Sequence, residues 1–209
     1  MAPDFAYALI GTPLFGPVRL RALSRELSVF ATPVLLFVNA ASDLVEGALD
    51  VMPNAILQFH GEEHEPACSR YAHPYIRSVA MTDNADIARV ESEFASAAGL
   101  LVDAPSDDFG GSGHTFNWSK LPAHRSKPLV LAGGLNADNV AAAIAEAKPY
   151  AVDVSSGVEH EPGVKSTSKI KAFVEERLDE GHLWPDALVQ PLGERLGQAV
   201  GNRLEQDRA

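Results

Sequence analysis

Short runs of apolar, β-favouring residues recur along this chain at 5–10, 33–38, 55–59, 75–79, 99–103, 128–131 and 150–154. Helix-patterned stretches lie between several of them, and this alternation constrains the fold more than any other feature. A strand followed by a helix brings the chain back for a parallel neighbour, so the pattern predicts a parallel α/β sheet. Most of the runs are apolar nearly throughout, as strands are when both faces are covered. The helical stretches are 42–51, 84–98, 136–147 and one that starts at Ser166 or Ser168 and runs to Leu178. In 84–98, Ile87, Val90 and Phe94 fall near helical spacing. In 136–147, Asn136 is the expected N-cap, Asp138 suits the first turn, and Val140, Ile144 and the alanines form an apolar face. Periodicity alone fits an open doubly wound sheet and a closed barrel equally.

Polar residues are distributed as unevenly as apolar ones. The Gly, Asp and Ser clusters follow the strands: QFHGEE at 58–63, VDAPSDDFGGSG at 102–113, AGGLN at 132–136 and DVSSGVEHEPG at 153–163. In parallel α/β folds the C-terminal ends of the strands are where ligands bind. Gly133 and Gly134 turn the chain from a strand toward a helix, and backbone amides exposed there suit a phosphate. By itself such a turn needs no ligand. Ser155, Ser156 and Gly157 follow the next strand and offer amides and hydroxyls to the same anion. Loops after consecutive parallel strands lie side by side, which makes the pair more specific than either half. Asp103 ends an apolar strand, and partial desolvation favours its protonated form, as a general acid requires. An isolated Asp capping a loop reads the same way.

Three further features carry less. Gly110, Gly111, Ser112 and Gly113 suit a lid and equally a plain flexible loop, and their spacing is not the dinucleotide-binding one. His60 at a strand end is a candidate site residue, without the second and third ligands that a metal would need. Cys68, the single cysteine, reads as a structural or surface thiol rather than a nucleophile and permits no internal disulfide.

The 209 residues suit one barrel-sized domain at 1–180 followed by an extension at 181–209. In that extension Leu192, Leu196, Val200 and Leu204 recur at helical steps, although Gly193, Gly197 and Gly201 weaken the helix. The formal net charge of −11 argues against nucleic acid, whose phosphates need basic faces, but not against a small anion held by local dipoles. No apolar run approaches a membrane span, and the first residues lack the basic and apolar regions of a secretory signal. A cytoplasmic protein with no membrane partner is the expectation.

Taken together, FVNA at 37–40, LQFHGEE at 57–63, PYIRSVAM at 74–81, LLVDA at 100–104, GGSGHTFNW at 110–118, PLVLAGGLNADNVAAAI at 128–144 and YAVDVSSGVEHEPGVKSTSKIKAFV at 150–174 resemble the phosphoribosylanthranilate isomerase family. They arrive in that family's order and spacing, over about 33 to 178. The resemblance implies a (β/α)8, or TIM, barrel. It also implies an Amadori rearrangement of N-(5-phosphoribosyl)anthranilate to its 1-deoxyribulose form, in tryptophan biosynthesis. It implies neither metal nor organic cofactor, since the substrate's own imine is the electron sink, and a protein that is a monomer or a homodimer. By this resemblance Asp103 is the general acid. Gly133, Gly134, Ser155, Ser156 and Gly157 hold the phosphate, and Asp153 lies near the ribose. Arg21, with Arg19 as its rival, meets the anthranilate carboxylate.

The chain departs from the family at its start. The family's first strand carries K-I-C-G, whose cysteine is the general base, and no such motif is present. Setting 4–11 against the second strand leaves about seven strands and an incomplete barrel. Setting 8–12 against the first places Ile10 where the thiol belongs. A misplaced start, a true deletion and a rebuilt barrel each account for this. The resemblance thus leaves two functional expectations: the isomerase, without its base in the chain as given, or a non-catalytic phosphosugar-binding remnant. A different barrel isomerase would need paired carboxylates, and Asp103 has no evident partner at the first strand.

Overall fold

The computed structural model of the protein describes residues 5–10, 17–27, 31–105 and 115–178. The expected lid at 110–113 and the extension at 181–209 lie outside them. Seven strands form one sheet: β1 (Phe5–Ile10), β2 (Ala31–Phe37), β3 (Ile56–Phe59), β4 (Tyr75–Ala80), β5 (Gly99–Asp103), β6 (Leu129–Leu131) and β7 (Ala151–Val152). They hydrogen-bond in chain order, and the pairs from β1 to β5 are parallel. Among the described residues six α-helices accompany them: α1 (Pro17–Glu26), α2 (Ser42–Val51), α3 (Glu65–Ser69), α4 (Ile87–Glu93), α5 (Val140–Ala147) and α6 (Thr167–Leu178). A small antiparallel hairpin, β8 (Glu159–Glu161) and β9 (Val164–Lys165), is inserted before α6. The architecture is α/β, of an incomplete (β/α)8 barrel.

The chain falls into two compact units, Met1–Asp103 with Pro122–Val130, and Ala104–Leu121 with Leu131–Ala209. In the first, strand parity sets the faces. Leu35, Phe37, Leu57, Phe59 and Tyr75 join Val45, Ala48, Leu49, Met52 and Phe94 in one buried cluster between strands and helices. The rings of Phe37 and Phe59 lie 6.1 Å apart, and Tyr75 meets Phe59 edge-on at 5.9 Å. Each large apolar side chain taken out of water here contributes about 1.5–3 kcal/mol. The alternate residues of the same strands face the other way and include Gln58, buried yet polar.

All seven expected strands appear within two residues of their expected limits, the last shortened to Ala151–Val152. The helix expected over 84–98 is shorter because Asp86 caps it, its carboxylate accepting from the Arg89 amide at 3.0 Å. The helix expected from Asn136 begins only at Val140. Asn136 does not cap it: its side-chain oxygen accepts from the Asp138 amide at 2.9 Å and closes a turn first.

Candidate functional site

At the C-terminal ends of the strands in the first unit, one network locks two loops to β4. Asn39, in left-handed backbone at φ 49°, follows β2. Its amide donates to the Glu63 carboxylate, and its side-chain oxygen accepts from the Glu62 amide at 2.7 Å. Gly61 sits so close that a Cβ there would stand 2.6 Å from the Asn39 Cγ. Arg77 of β4 donates to the Phe59 and Gly61 carbonyls at 3.3 and 2.7 Å and pairs with Glu63 at 3.1 Å. Its guanidinium lies 4.9 Å from the Phe94 ring centroid. Both partners of the ion pair are nearly buried, so the carbonyl bonds matter: they satisfy donors that the low-dielectric setting would otherwise leave costly.

His60 follows β3 on this scaffold. The Gln58 amide nitrogen lies 2.7 Å from His60 Nε2, an arrangement satisfied when the amide donates and the neutral ring carries its proton on Nδ1. Burial, and then the Arg77 charge, push the imidazole down to about 4, which keeps it neutral. The register pairs Phe59 with Arg77 and Ala80 with Asp103. Arg77 faces the helices, so Asp103, at the end of β5 and half-buried, shares the opposite face with Gln58 and His60. Cys68 lies fully buried on α3 in the helix-side cluster, where burial pushes its thiol up to about 11. It is no proton acceptor at neutral pH. Arg21 is exposed in the second turn of α1, its carbonyl accepting from the Ser24 hydroxyl at 3.0 Å.

The second unit holds the two glycine and serine turns, and they meet. Gly133 and Gly134 have φ of 86° and 64°, backbone that a side chain would strain. Gly157 packs on the backbone between them and α5. A Cβ on it would overlap the Leu135 carbonyl oxygen and stand 3.1 Å from Asn136 Cβ. Asn139 fixes that segment from the other side: its Oδ1 accepts from the Asn136 amide and its Nδ2 donates to the Gly134 carbonyl, both at 2.9 Å. The Asp153 amide donates to the Leu131 carbonyl at 2.8 Å, carrying β7 into the Ser155 turn beside β6. Ser155 is exposed, while Ser156 and Gly157 begin a single 3-10 turn, Ser156–Val158. Lys165 on β9 donates to the Ser155 carbonyl at 2.9 Å, to the Ser155 hydroxyl at 3.2 Å and to the Glu159 carboxylate at 2.7 Å.

The chain matches the family profile of N-(5'-phosphoribosyl)anthranilate isomerase over residues 22–176. It belongs to that family. A Pseudomonas putida N-(5'-phosphoribosyl)anthranilate isomerase is 46% identical over 155 residues, 74% of this chain and 75% of the relative. The crystal structure of the Thermotoga maritima phosphoribosyl anthranilate isomerase superposes with a TM-score of 0.75 at 34% identity, covering 83% of this chain and 88% of that one. Another structure, at 31% identity, TM-score 0.71 and coverage of 83% and 87%, is a phosphoribosyl anthranilate isomerase in complex with reduced 1-(o-carboxyphenylamino)-1-deoxyribulose 5-phosphate.

Sequence reasoning missed Arg77, Asn139 and Lys165 as parts of these sites. Nothing local marks Arg77, one charge within β4, or Asn139, which falls inside a helix-patterned stretch. Lys165 had a readable signal: Pro162-Gly163 is a two-residue turn, with Gly163 at φ 81°, and it predicts a hairpin that folds Lys165 back toward Ser155. Among the described residues no three His, Cys, Asp or Glu side chains cluster as metal ligands would.

Proposed function

We propose that this protein acts on N-(5-phosphoribosyl)anthranilate in tryptophan biosynthesis, rearranging the aminoaldose to the aminoketose, in the cytoplasm and as a monomer or homodimer. The observation that carries the reading is the seat of Gly157 on the Leu135 backbone, which joins the two turns proposed to hold the phosphate. Gly133, Gly134, Ser155, Ser156 and Gly157 supply amides and hydroxyls to its oxygens, and Asp153 contacts the ribose. The ligand of the related complex, the reduced form of a phosphorylated aminoketose bearing a carboxyphenyl group, has the chemistry that this arrangement suits.

Asp103 is the proposed general acid. It gives its proton to the furanose ring oxygen as the C1–O bond breaks, and the nitrogen lone pair closes the Schiff base. A base then removes the C2 proton to give the enolamine, which takes a proton at C1 and gives up its O2 hydroxyl proton to become the ketose. Positioned proton transfer of this kind contributes roughly 10²–10⁴-fold. Arg21 is the proposed partner of the anthranilate carboxylate, a match for a planar guanidinium.

Asp103→Asn tests the assignment. Its expected result is unchanged calorimetric binding of ribose 5-phosphate with conversion of the fluorescent substrate cut by roughly 10²-fold or more. Undiminished conversion overturns the acid assignment, and absence of phosphosugar binding by the unmutated chain overturns the site. The second reading, a phosphosugar-binding member without turnover, draws on Cys68: the one cysteine lies in the helix-side core rather than at a strand end. Binding with no conversion by the unmutated chain selects it.

A further inference from the structure

Lys165 stands beside the proposed phosphate turn without being one of its anion-facing groups. Its ammonium has three donors, and three oxygens receive them: the Ser155 carbonyl, the Ser155 hydroxyl and the Glu159 carboxylate. The charge is therefore already paired, in a bridge whose side chains are only 33% and 17% exposed. Glu159 is itself held by the Gly163 amide at 3.1 Å, and the Ser166 amide closes on the Val158 carbonyl at 2.8 Å. The β8–β9 hairpin is thus tied down around Lys165.

A serine hydroxyl has one proton to donate and two lone pairs to accept with. When Lys165 occupies a lone pair of Ser155 Oγ, the hydroxyl proton is directed away from the ammonium. Ser155 is exposed, so that proton faces solvent or a ligand. The bond to the carbonyl of the same residue fixes its backbone at φ −118°, ψ −85°, a setting that Lys165 holds from outside the turn. We infer that Lys165 is a positioning residue: it orients the Ser155 backbone and hydroxyl so that the hydroxyl donates to the sugar phosphate. This rests on the reading of 155–157 as a phosphate turn and names the group that sets its geometry. A lysine acting here by charge alone would have to be free of Glu159, and it is not.

The test is titration calorimetry of the full chain with inorganic phosphate and with ribose 5-phosphate, alongside thermal melts. Lys165→Met is expected to weaken both by about 10-fold, the scale of one hydrogen bond to a charged group. Ser155→Ala should weaken them similarly, and the double variant no further, because the lysine works through the serine. Glu159→Gln separates positioning from a simple hairpin staple: the staple loses as much binding as Lys165→Met, whereas positioning keeps it. Should Lys165→Met not fold, the opposite behaviour of Ser155→Ala and Glu159→Gln decides the matter. Wild-type affinity in Lys165→Met, or losses from Lys165→Met and Ser155→Ala that multiply, overturns the inference alone. Failure of the unmutated chain to bind either probe overturns the phosphate reading beneath it.

Discussion

Replacing Gly157 by alanine places a methyl group where the Leu135 carbonyl already stands. That carbonyl has little room to retreat. Asn139 grips the Gly134 carbonyl on one side of Leu135 and the Asn136 amide on the other. The turns must part, and overpacking of this kind costs about 1–3 kcal/mol. For a chain of this size that lowers Tm by roughly 2–12 °C. Binding falls as well, because amides from both turns are proposed to meet one phosphate. Losing one charge-assisted hydrogen bond costs about 1.5–3 kcal/mol, or roughly 10–100-fold in Kd. Differential scanning calorimetry and titration with ribose 5-phosphate read the two effects. Gly47→Ala is the control: it lies within α2 with nothing inside 4 Å of the new Cβ, and helix propensity alone predicts a gain of about 1 kcal/mol. A Gly157→Ala protein that melts and binds like the parent would refute the meeting of the two turns.

Asn139→Ala removes both bonds that pin the Leu135 segment; its expected cost is about 1–3 kcal/mol in urea unfolding, and less than additive with Gly157→Ala since both act on one turn. Arg77→Met strands Glu63 in a nearly buried setting and should cost about 3–5 kcal/mol, with Glu63→Gln recovering part of it; equal cost in both backgrounds would show the pair uncoupled. His60 gives a pH signature. Its folded value near 4 lies below the ordinary 6.5, so between these the unfolded chain binds the extra proton and stability falls as pH drops from 6.5 to 4. His60→Asn should flatten that slope relative to the parent, and parallel stability curves over this window would contradict the neutral, partly buried imidazole.

The sequence by itself determined the order of the sheet's strands and the end of the sheet where the polar turns gather. Apolar runs with both faces covered, and polar turns after them, are local patterns, and β1 and β5 have the limits their residues predict. The same holds for α2, whereas α3, five residues long, and α1, whose apolar residues are broken up by Arg19, Arg21, Arg25 and Glu26, were not legible. Neighbouring residues could also nominate Asp103, the paired glycines and the Ser155 turn, because each sits on a strand-to-loop junction. Tertiary structure decided which residues touch. Gly157 touches Leu135 from 22 positions away, Arg77 reaches back over 14 to Glu63, and Lys165 returns over 10 to Ser155. Such contacts depend on how the chain folds back on itself, and a bare glycine, arginine or lysine looks the same in a sequence whether or not a partner awaits it. Asn136 and Asn139 make the point most sharply: either could cap α5, and only the position of the Gly134 carbonyl gives the clamp to one and the turn to the other.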